Sequence, residues 1–335
     1  MMAAQMPNGQ AALHSLWPDA RWNISALFTH DQITFHALAA LKERFDCRPA
    51  VDAIHGSLPV LWNSGRAARK ARPIDPALVK KRLEAFNGVG SGVYYTFSNH
   101  LLGQEDLTDE ACNRLLDAID NDTGLNGVIV ASDLLFDHIR KEHPALKLTA
   151  SIIKATVENG KGDVDYYRKQ AERFDSVMVH SDDGFNLDLL DQLDREKMEI
   201  LVNENCVRNC TVREKHYALL ASEQRTGGKS QPEGCLMPLT ELDGKNLSCN
   251  MTDEEFKSVY DMGFRRFKLQ GGGDMAWQYL YDFSRYLLEP TLVAPVFFKY
   301  IVAVQSAYLA RDARAKLQAA RAARAAKAKQ DPPAS

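Results

Sequence analysis

A short apolar run, a polar corner and an amphipathic segment recur eight times between Asn23 and Leu288. The runs are Ile24–Phe28, Val51–His55, Gly92–Phe97, Gly127–Ala131, Lys147–Ile153, Ser176–His180, Glu199–Asn203 and Phe264–Leu269. Short runs rich in Val, Ile, Leu and Tyr suit strands buried on both faces, as in a parallel sheet. Helical spacing fills the intervals. Ile33, Ala37, Leu38 and Leu41 fall on one face of a helix over Asp31–Phe45. Further helices are expected over Pro76–Phe86, capped by Asp75, and over Thr108–Asp120, with Thr108 as cap. A short one runs from Asp133 to Lys141, and others over Asp165–Phe174, Asn186–Leu193, Thr252–Met262 and Ala276–Leu288. Eight strand–helix units in one chain specify an α/β fold of the (β/α)8, TIM-like type. The rival is a doubly wound open sheet. No GxGxxG follows the first strand, which counts against the dinucleotide-binding version of that rival.

A chain of 335 residues has room for such a barrel with segments to spare. The expected organisation is a flexible leader at 1–22, a barrel at 23–290 with an insertion at 204–252, C-terminal helices with a basic tail at 291–330, and a disordered end at 331–335. The formal net charge of −3 gives no whole-chain pull toward nucleic acid or an anionic membrane. The first residues lack the basic and apolar regions of a signal peptide. The longest apolar run, Leu292–Val304, is interrupted by Pro295 and Lys299 and too short to insert in a bilayer. A cytoplasmic, reducing location is the expectation, and there grouped cysteines point to metal ligation over disulfides.

Four of the six cysteines are grouped: Cys206, Cys210, Cys235 and Cys249. Cys206 and Cys210 follow the seventh strand, on the face where barrel active sites are built. Four thiolates suit a structural zinc or an iron–sulfur cluster. Zinc knuckles bring ligands in two close pairs; here one close pair is joined by two single cysteines from a long loop, which favours the cluster. Arg208, Arg213 and Lys215 would offset its negative charge. The plain alternative is that these cysteines pack as small buried apolar side chains, and that reading is preferred for Cys47 and Cys112, which stand alone.

The segment Asn203-Glu204-Asn205-Cys206, with Cys210, Arg213, His216 and Tyr217, resembles the cysteine motif of the peptidase U32 family. So does Gly263–Gly271, with its Phe-Lys-Leu-Gln-Gly ending, and, more weakly, His55–Pro59 and Gly65-Arg66. The resemblance spans most of Ile24–Leu288. It implies a barrel holding a [4Fe–4S] cluster on Cys206, Cys210, Cys235 and Cys249, in a family that includes oxygen-independent hydroxylases of RNA or of ubiquinone precursors and was first named for collagenase-like proteases.

Polar groups at strand ends would line the same face. His180, Lys154, Glu204, Asn203, His55 and Asn99 are the catalytic candidates, with His100, Asp133, Lys268 and Gln270 beside them. A His or Lys there can hold an anion or move a proton; Asp133 reads equally as a helix cap. No Ser/His/Asp set and no HExxH is present, which weighs against a peptidase. Arg311–Gln330 carries seven Lys or Arg against Asp312 alone. It is a solvated terminal helix or a basic arm for an acidic partner such as RNA. Three functions are therefore weighed: an iron–sulfur hydroxylase on RNA or a small aromatic or isoprenoid precursor, a zinc-stabilised U32-type hydrolase, and a non-catalytic RNA-binding accessory or partner subunit.

Overall fold

The computed structural model describes residues 16–45, 50–64, 75–121, 123–226, 231–237, 241–242, 245–271, 276–292 and 298–330. The leader up to residue 15, Gly65-Arg66 and the chain end at 331–335 lie outside these residues.

The chain begins with β1 (Arg21–Ile24), α1 (Asp31–Phe45), β2 (Val51–Gly56), α2 (Pro76–Asn87) and β3 (Gly92–Phe97). It continues through α3 (Glu110–Ile119), β4 (Gly127–Val130), α4 (Asp133–Glu142), β5 (Lys147–Ala150), α5 (Ile152–Asn159), α6 (Val164–Arg173), β6 (Ser176–Val179), α7 (Leu187–Leu190) and β7 (Met198–Leu201). Then come β8 (Asn203–Val207), α8 (Arg213–Thr226), a small hairpin of β9 (Glu241–Leu242) and β10 (Lys245–Asn246), and β11 (Ser248–Asn250). The described chain closes with α9 (Asp253–Asp261), β12 (Arg266–Leu269), α10 (Ala276–Leu287), α11 (Pro290–Leu292) and α12 (Phe298–Gln330). Strands β1 to β7 and β12 form a closed, all-parallel barrel in which β12 pairs with both β7 and β1. The TIM-like fold expected from the periodicity is the fold observed.

Alternation along each strand separates two cores. Trp22, Ile54, Val93, Val128, Leu148, Val177, Ile200 and Phe267 face the helices. Ala53, Tyr94, Ile129, Met178 and Leu201 face the barrel lumen, where Ile152, Ile153, Tyr217 and Leu220 join them. Gly127 is required at the foot of β4: an added Cβ would lie 2.5 Å from Cε1 of Tyr94 and 2.4 Å from the Lys147 carbonyl oxygen. The Tyr94 ring thus crosses the lumen at a height where β4 carries no side chain.

The closing seam is densely aromatic. Phe256 of α9 is buried against Trp17 (ring centroids 4.7 Å apart), Trp22 (5.6 Å), Phe267 (4.5 Å) and Tyr286 (5.9 Å). Trp17 and Arg21 fall in the stretch expected as leader, yet both belong to the barrel.

Strand ends depart from the sequence expectation for local reasons. The first strand spans Arg21–Ile24 instead of Ile24–Phe28, because Ala26 (φ 86°) and Phe28 (φ 67°) turn left-handed. The fifth stops at Ala150, where Ser151 caps α5 by accepting from the Ile153 N–H. Lys154 is therefore a helical residue and not the end of a strand. Ser132, not Asp133, caps α4, and Asp109, not Thr108, caps α3. The helix expected over Asn186–Leu193 shrinks to the single turn of α7.

Among the described residues no helix is long and apolar enough to cross a membrane. α12 is exposed on all sides over residues 309–322, and its Lys316 pairs with Asp312.

Candidate functional site

The insertion after β7 is built on a two-stranded ribbon. β8 starts after a single residue, Val202, and pairs antiparallel with β11, setting Asn250 opposite Asn203 and Cys249 opposite Glu204. The ribbon thereby carries Cys206 on one strand and Cys249 on the other. Asn209, in the left-handed region at φ 51°, turns the chain toward Cys210 and α8. Its N–H donates to Asp182 Oδ1 at 2.9 Å. Cys235 lies in a turn held by its own N–H on the Pro232 carbonyl, and the neighbouring Gly234 sits against Val212, two residues beyond Cys210.

Arg213, at the start of α8, ties this region together. Its guanidinium donates to Glu204 Oε2, to Asp182 Oδ1 (3.1 Å), to the Val207 carbonyl (2.9 Å) and toward Cys249 Sγ (3.8 Å). Tyr217 donates to the other Glu204 oxygen at 2.7 Å. Burial alone would raise the Glu204 carboxyl. The Arg213 cation, with hydroxyls of Ser181 and Tyr217, instead holds it below the usual carboxylate range. The Cys206 thiol is pushed well up, first by burial and then by the Glu204 carboxylate, and it also feels Cys210 and Cys249 as neighbours. Burial and Glu204 push the Cys249 thiol up to about 12. Arg213 opposes both shifts. Arg208, expected in the same basic shell, is otherwise engaged: it grips both Glu255 oxygens and stacks 3.7 Å from the Phe185 ring centroid. Lys215 is exposed.

His180, following β6, faces the same group. Its Nδ1 accepts from the Asp182 N–H at 3.2 Å, which places the proton on Nε2, and that nitrogen is buried without a partner. Burial and the Arg213 charge lower its basicity. Asn203 and Gln270 clasp β8 to β12. The Asn203 amide donates to the Gln270 carbonyl at 2.8 Å and accepts from its N–H at 2.6 Å, while Gln270 Oε1 accepts from the Asn205 N–H. Asn99 ties the loop after β3 to the Leu61 carbonyl at 2.8 Å and to the Ala221 carbonyl of α8 at 3.3 Å. His100 has a buried Nδ1 with no partner. Helix α8 thus roofs the barrel, with Tyr217 and Leu220 pointing into the lumen.

Lys154 and Asp133 stand apart. The Lys154 ammonium is fully buried between Asp133 (2.9 Å) and Glu158, and Asp133 also takes Arg173. That is an ion-pair cluster joining α4, α5 and α6, and among the described residues none of its members hydrogen-bonds or ion-pairs with a cysteine. Its placement follows from Ser151 starting the helix three residues before Lys154.

Below the roof lies a polar strip that sequence reasoning only half found. His55 Nδ1 donates to Asn23 Oδ1 at 2.8 Å, and burial raises the nearby Glu199 carboxyl while Lys268 and Asn23 oppose the rise. Lys268 faces the lumen on β12. Glu199 was missed. The signal was available: a carboxylate between Met198 and Ile200 in a buried strand has to face inward. Burial lowers the Lys268 ammonium from its ordinary range to about 8, with Glu199 opposing. This gives a pH prediction. Between about pH 8 and 10.5 the unfolded chain holds this proton and the folded chain does not, so wild-type stability rises with pH there. Against Lys268→Met, measured by urea unfolding, wild type gains up to about 3 kcal/mol from pH 7 toward pH 10.5. A stability gap that stays constant across this range would contradict the assignment.

Among the described residues no three His, Cys, Asp or Glu side chains group as ligands to one metal ion. Cys210 and Cys249 act on Cys206 as neighbouring charges. The donor set of soft sulfurs beside a buried guanidinium fits an iron–sulfur cluster chemically.

No family model matches the chain, and no curated protein matches it. Among solved structures it is similar to one described as the structure of the U32 peptidase Mk0906. The TM-score is 0.47 at 14% identity, over 75% of this chain and 92% of that one.

Proposed function

We propose that the chain is an iron–sulfur barrel enzyme of the U32 type, with a [4Fe–4S] cluster on Cys206, Cys210, Cys235 and Cys249. An oxygen-independent hydroxylase acting on RNA or a small aromatic or isoprenoid precursor is the favoured activity. The observation that carries the reading is the electrostatic neighbourhood shared by Cys206, Cys210 and Cys249 around Arg213 at the barrel mouth. The motif resemblance at Asn203–Tyr217 and Gly263–Gly271 supports it.

When bound, such a cluster supplies one-electron chemistry or a Lewis-acidic iron. The chain's residues have separate tasks. Arg213 offsets the charge that four thiolates bring and holds Glu204. Glu204 and Tyr217 fix the first turn of α8 against the ribbon. His180, protonated on Nε2, offers a buried donor near Arg213 and Glu204. Metal binding displaces thiol protons, since ligand sulfur must be thiolate. The cationic helix α12, exposed over residues 309–322, suits an acidic partner such as RNA.

The test is anaerobic purification with iron, sulfide and zinc assay. About four irons and four sulfides per chain are expected, falling to background in Cys206→Ser/Cys210→Ser while the far-ultraviolet spectrum is kept. A colourless protein that takes up no iron on reconstitution overturns the proposal. Stoichiometric zinc on the same cysteines replaces it with the hydrolase reading.

A further inference from the structure

The turn between Cys206 and Cys210 is anchored unequally. Cys206 lies on β8, and the ribbon continues past it. The Arg208 N–H donates to the Leu247 carbonyl at 2.7 Å, and the Arg208 side chain reaches the Ser248 carbonyl at the same distance. Beyond Arg208 the chain leaves the ribbon. Asn209 and Thr211 are exposed. Asn209 also adopts the left-handed conformation that a residue with a Cβ seldom takes without support. Cys210 is carried by this stretch.

The support comes from the loop after β6. Asp182 stands at the N-cap position of the single-turn 3-10 helix Asp183–Phe185, yet its side chain makes no capping hydrogen bond there. It reaches across to the insertion instead. Its Oδ1 accepts from the Asn209 N–H at 2.9 Å and from the Arg213 guanidinium at 3.1 Å. The same Arg213 nitrogen faces the Val207 carbonyl (2.9 Å) and Cys249 Sγ (3.8 Å). One carboxylate oxygen thus ties the turn that carries Cys210 to the guanidinium that faces Cys249. Hydrogen bonds to a charged acceptor are the stronger kind, so this is a firm tether from the barrel to the insertion.

We infer that Asp182 is a positioning residue for the cysteine group: it fixes the turn bearing Cys210 relative to Cys206 and Cys249 before any metal is bound. The inference rests on the cluster reading and deepens it. A cluster takes its thiolates at set separations. Ordering a loose turn at the moment of binding costs conformational entropy and weakens the bound state. A turn tied to a barrel carboxylate is ordered on folding, before the sulfurs bind. Groups that orient metal ligands in this way typically contribute about 10–100-fold to metal affinity. Asp182 acts through Asn209 and Arg213, and its effect falls on how long the cysteines keep a cluster.

The test compares Asp182→Ala with Asp182→Asn in full-length protein purified and reconstituted anaerobically. Both variants remove the same charge. Only asparagine keeps an oxygen to accept from the Asn209 N–H, so a difference between the two reports position and not charge. The readouts are iron and sulfide per chain, the rate at which EDTA bleaches the visible absorbance, and the electron paramagnetic resonance spectrum after dithionite reduction. Asp182→Ala is expected to lose its cluster at least about tenfold faster than wild type, with a broadened resonance, while Asp182→Asn stays within about threefold of wild type. Asp182→Ser, one bond too short to reach the Asn209 N–H, should behave as the alanine variant does and repeats the comparison with a polar side chain. Glu196→Ala, at an exposed carboxylate just before β7, changes nothing. Far-ultraviolet circular dichroism checks each fold. A wild type without iron overturns the cluster reading and this inference with it. A wild type that holds iron, with Asp182→Ala retaining its cluster as long, overturns this inference alone. So does equal loss from the alanine and asparagine variants, which makes charge the agent.

Discussion

Arg213→Met lowers the stability of the fold by about 3–5 kcal/mol, the usual cost of stranding one member of a buried ion pair. Arg213 and Glu204 are each buried almost completely, and Asp182 and the Val207 carbonyl depend on the same guanidinium. Removing it leaves the Glu204 carboxylate with Tyr217 as its chief remaining donor. Urea unfolding at pH 7 measures the loss. The double variant Arg213→Met/Glu204→Gln should recover a large part of it, because the stranded charge goes with its partner. A single variant within about 1 kcal/mol of wild type would show that solvent reaches Glu204 and that the pair does not organise the ribbon.

Phe256→Ala is expected to cost about 3–5 kcal/mol as well, by a different mechanism. Phe256 touches Trp17, Trp22, Phe267 and Tyr286, so it covers both strands of the closing seam at once. Truncation opens a cavity that these rings are too constrained to fill. The denaturant midpoint should fall with little change in slope. Phe256→Leu, which restores most of the volume, should recover more than half of the loss. Equal losses for Ala and Leu would mean that ring geometry, and not filled volume, sets the cost.

The barrel was legible because the two side-chain periods are hard to confuse over eight repeats. Strands buried on both faces read as apolar runs, and the helices between them read as stripes. The ends of elements were less legible. Ser151 and Ser132 are capping residues that look like ordinary strand-end polar groups, and this is how Lys154 came to be placed on the catalytic face. The β8–β11 ribbon was hidden for another reason. Only Val202 separates β7 from β8, so Glu199–Asn203 read as one strand running into a loop. The grouping of Cys206 and Cys210 followed from their spacing alone. The position of Cys249 opposite Glu204 did not, since a ladder formed across more than forty intervening residues leaves no local pattern.

The pairing of β1 with β12 also governs when the protein can finish folding. The two strands are about 245 residues apart, so at roughly 5–20 residues per second β1 waits on the order of 10–50 s for its partner to be synthesised. Until then the nascent sheet has open edges at both β1 and β7, and the Trp22 face that Phe256 later covers remains wet. All four grouped cysteines emerge before β12 does. If they hold the proposed cluster, its loading has a window while the sheet is still open, and any delay in closure prolongs exposure of two unpaired strands to neighbouring chains.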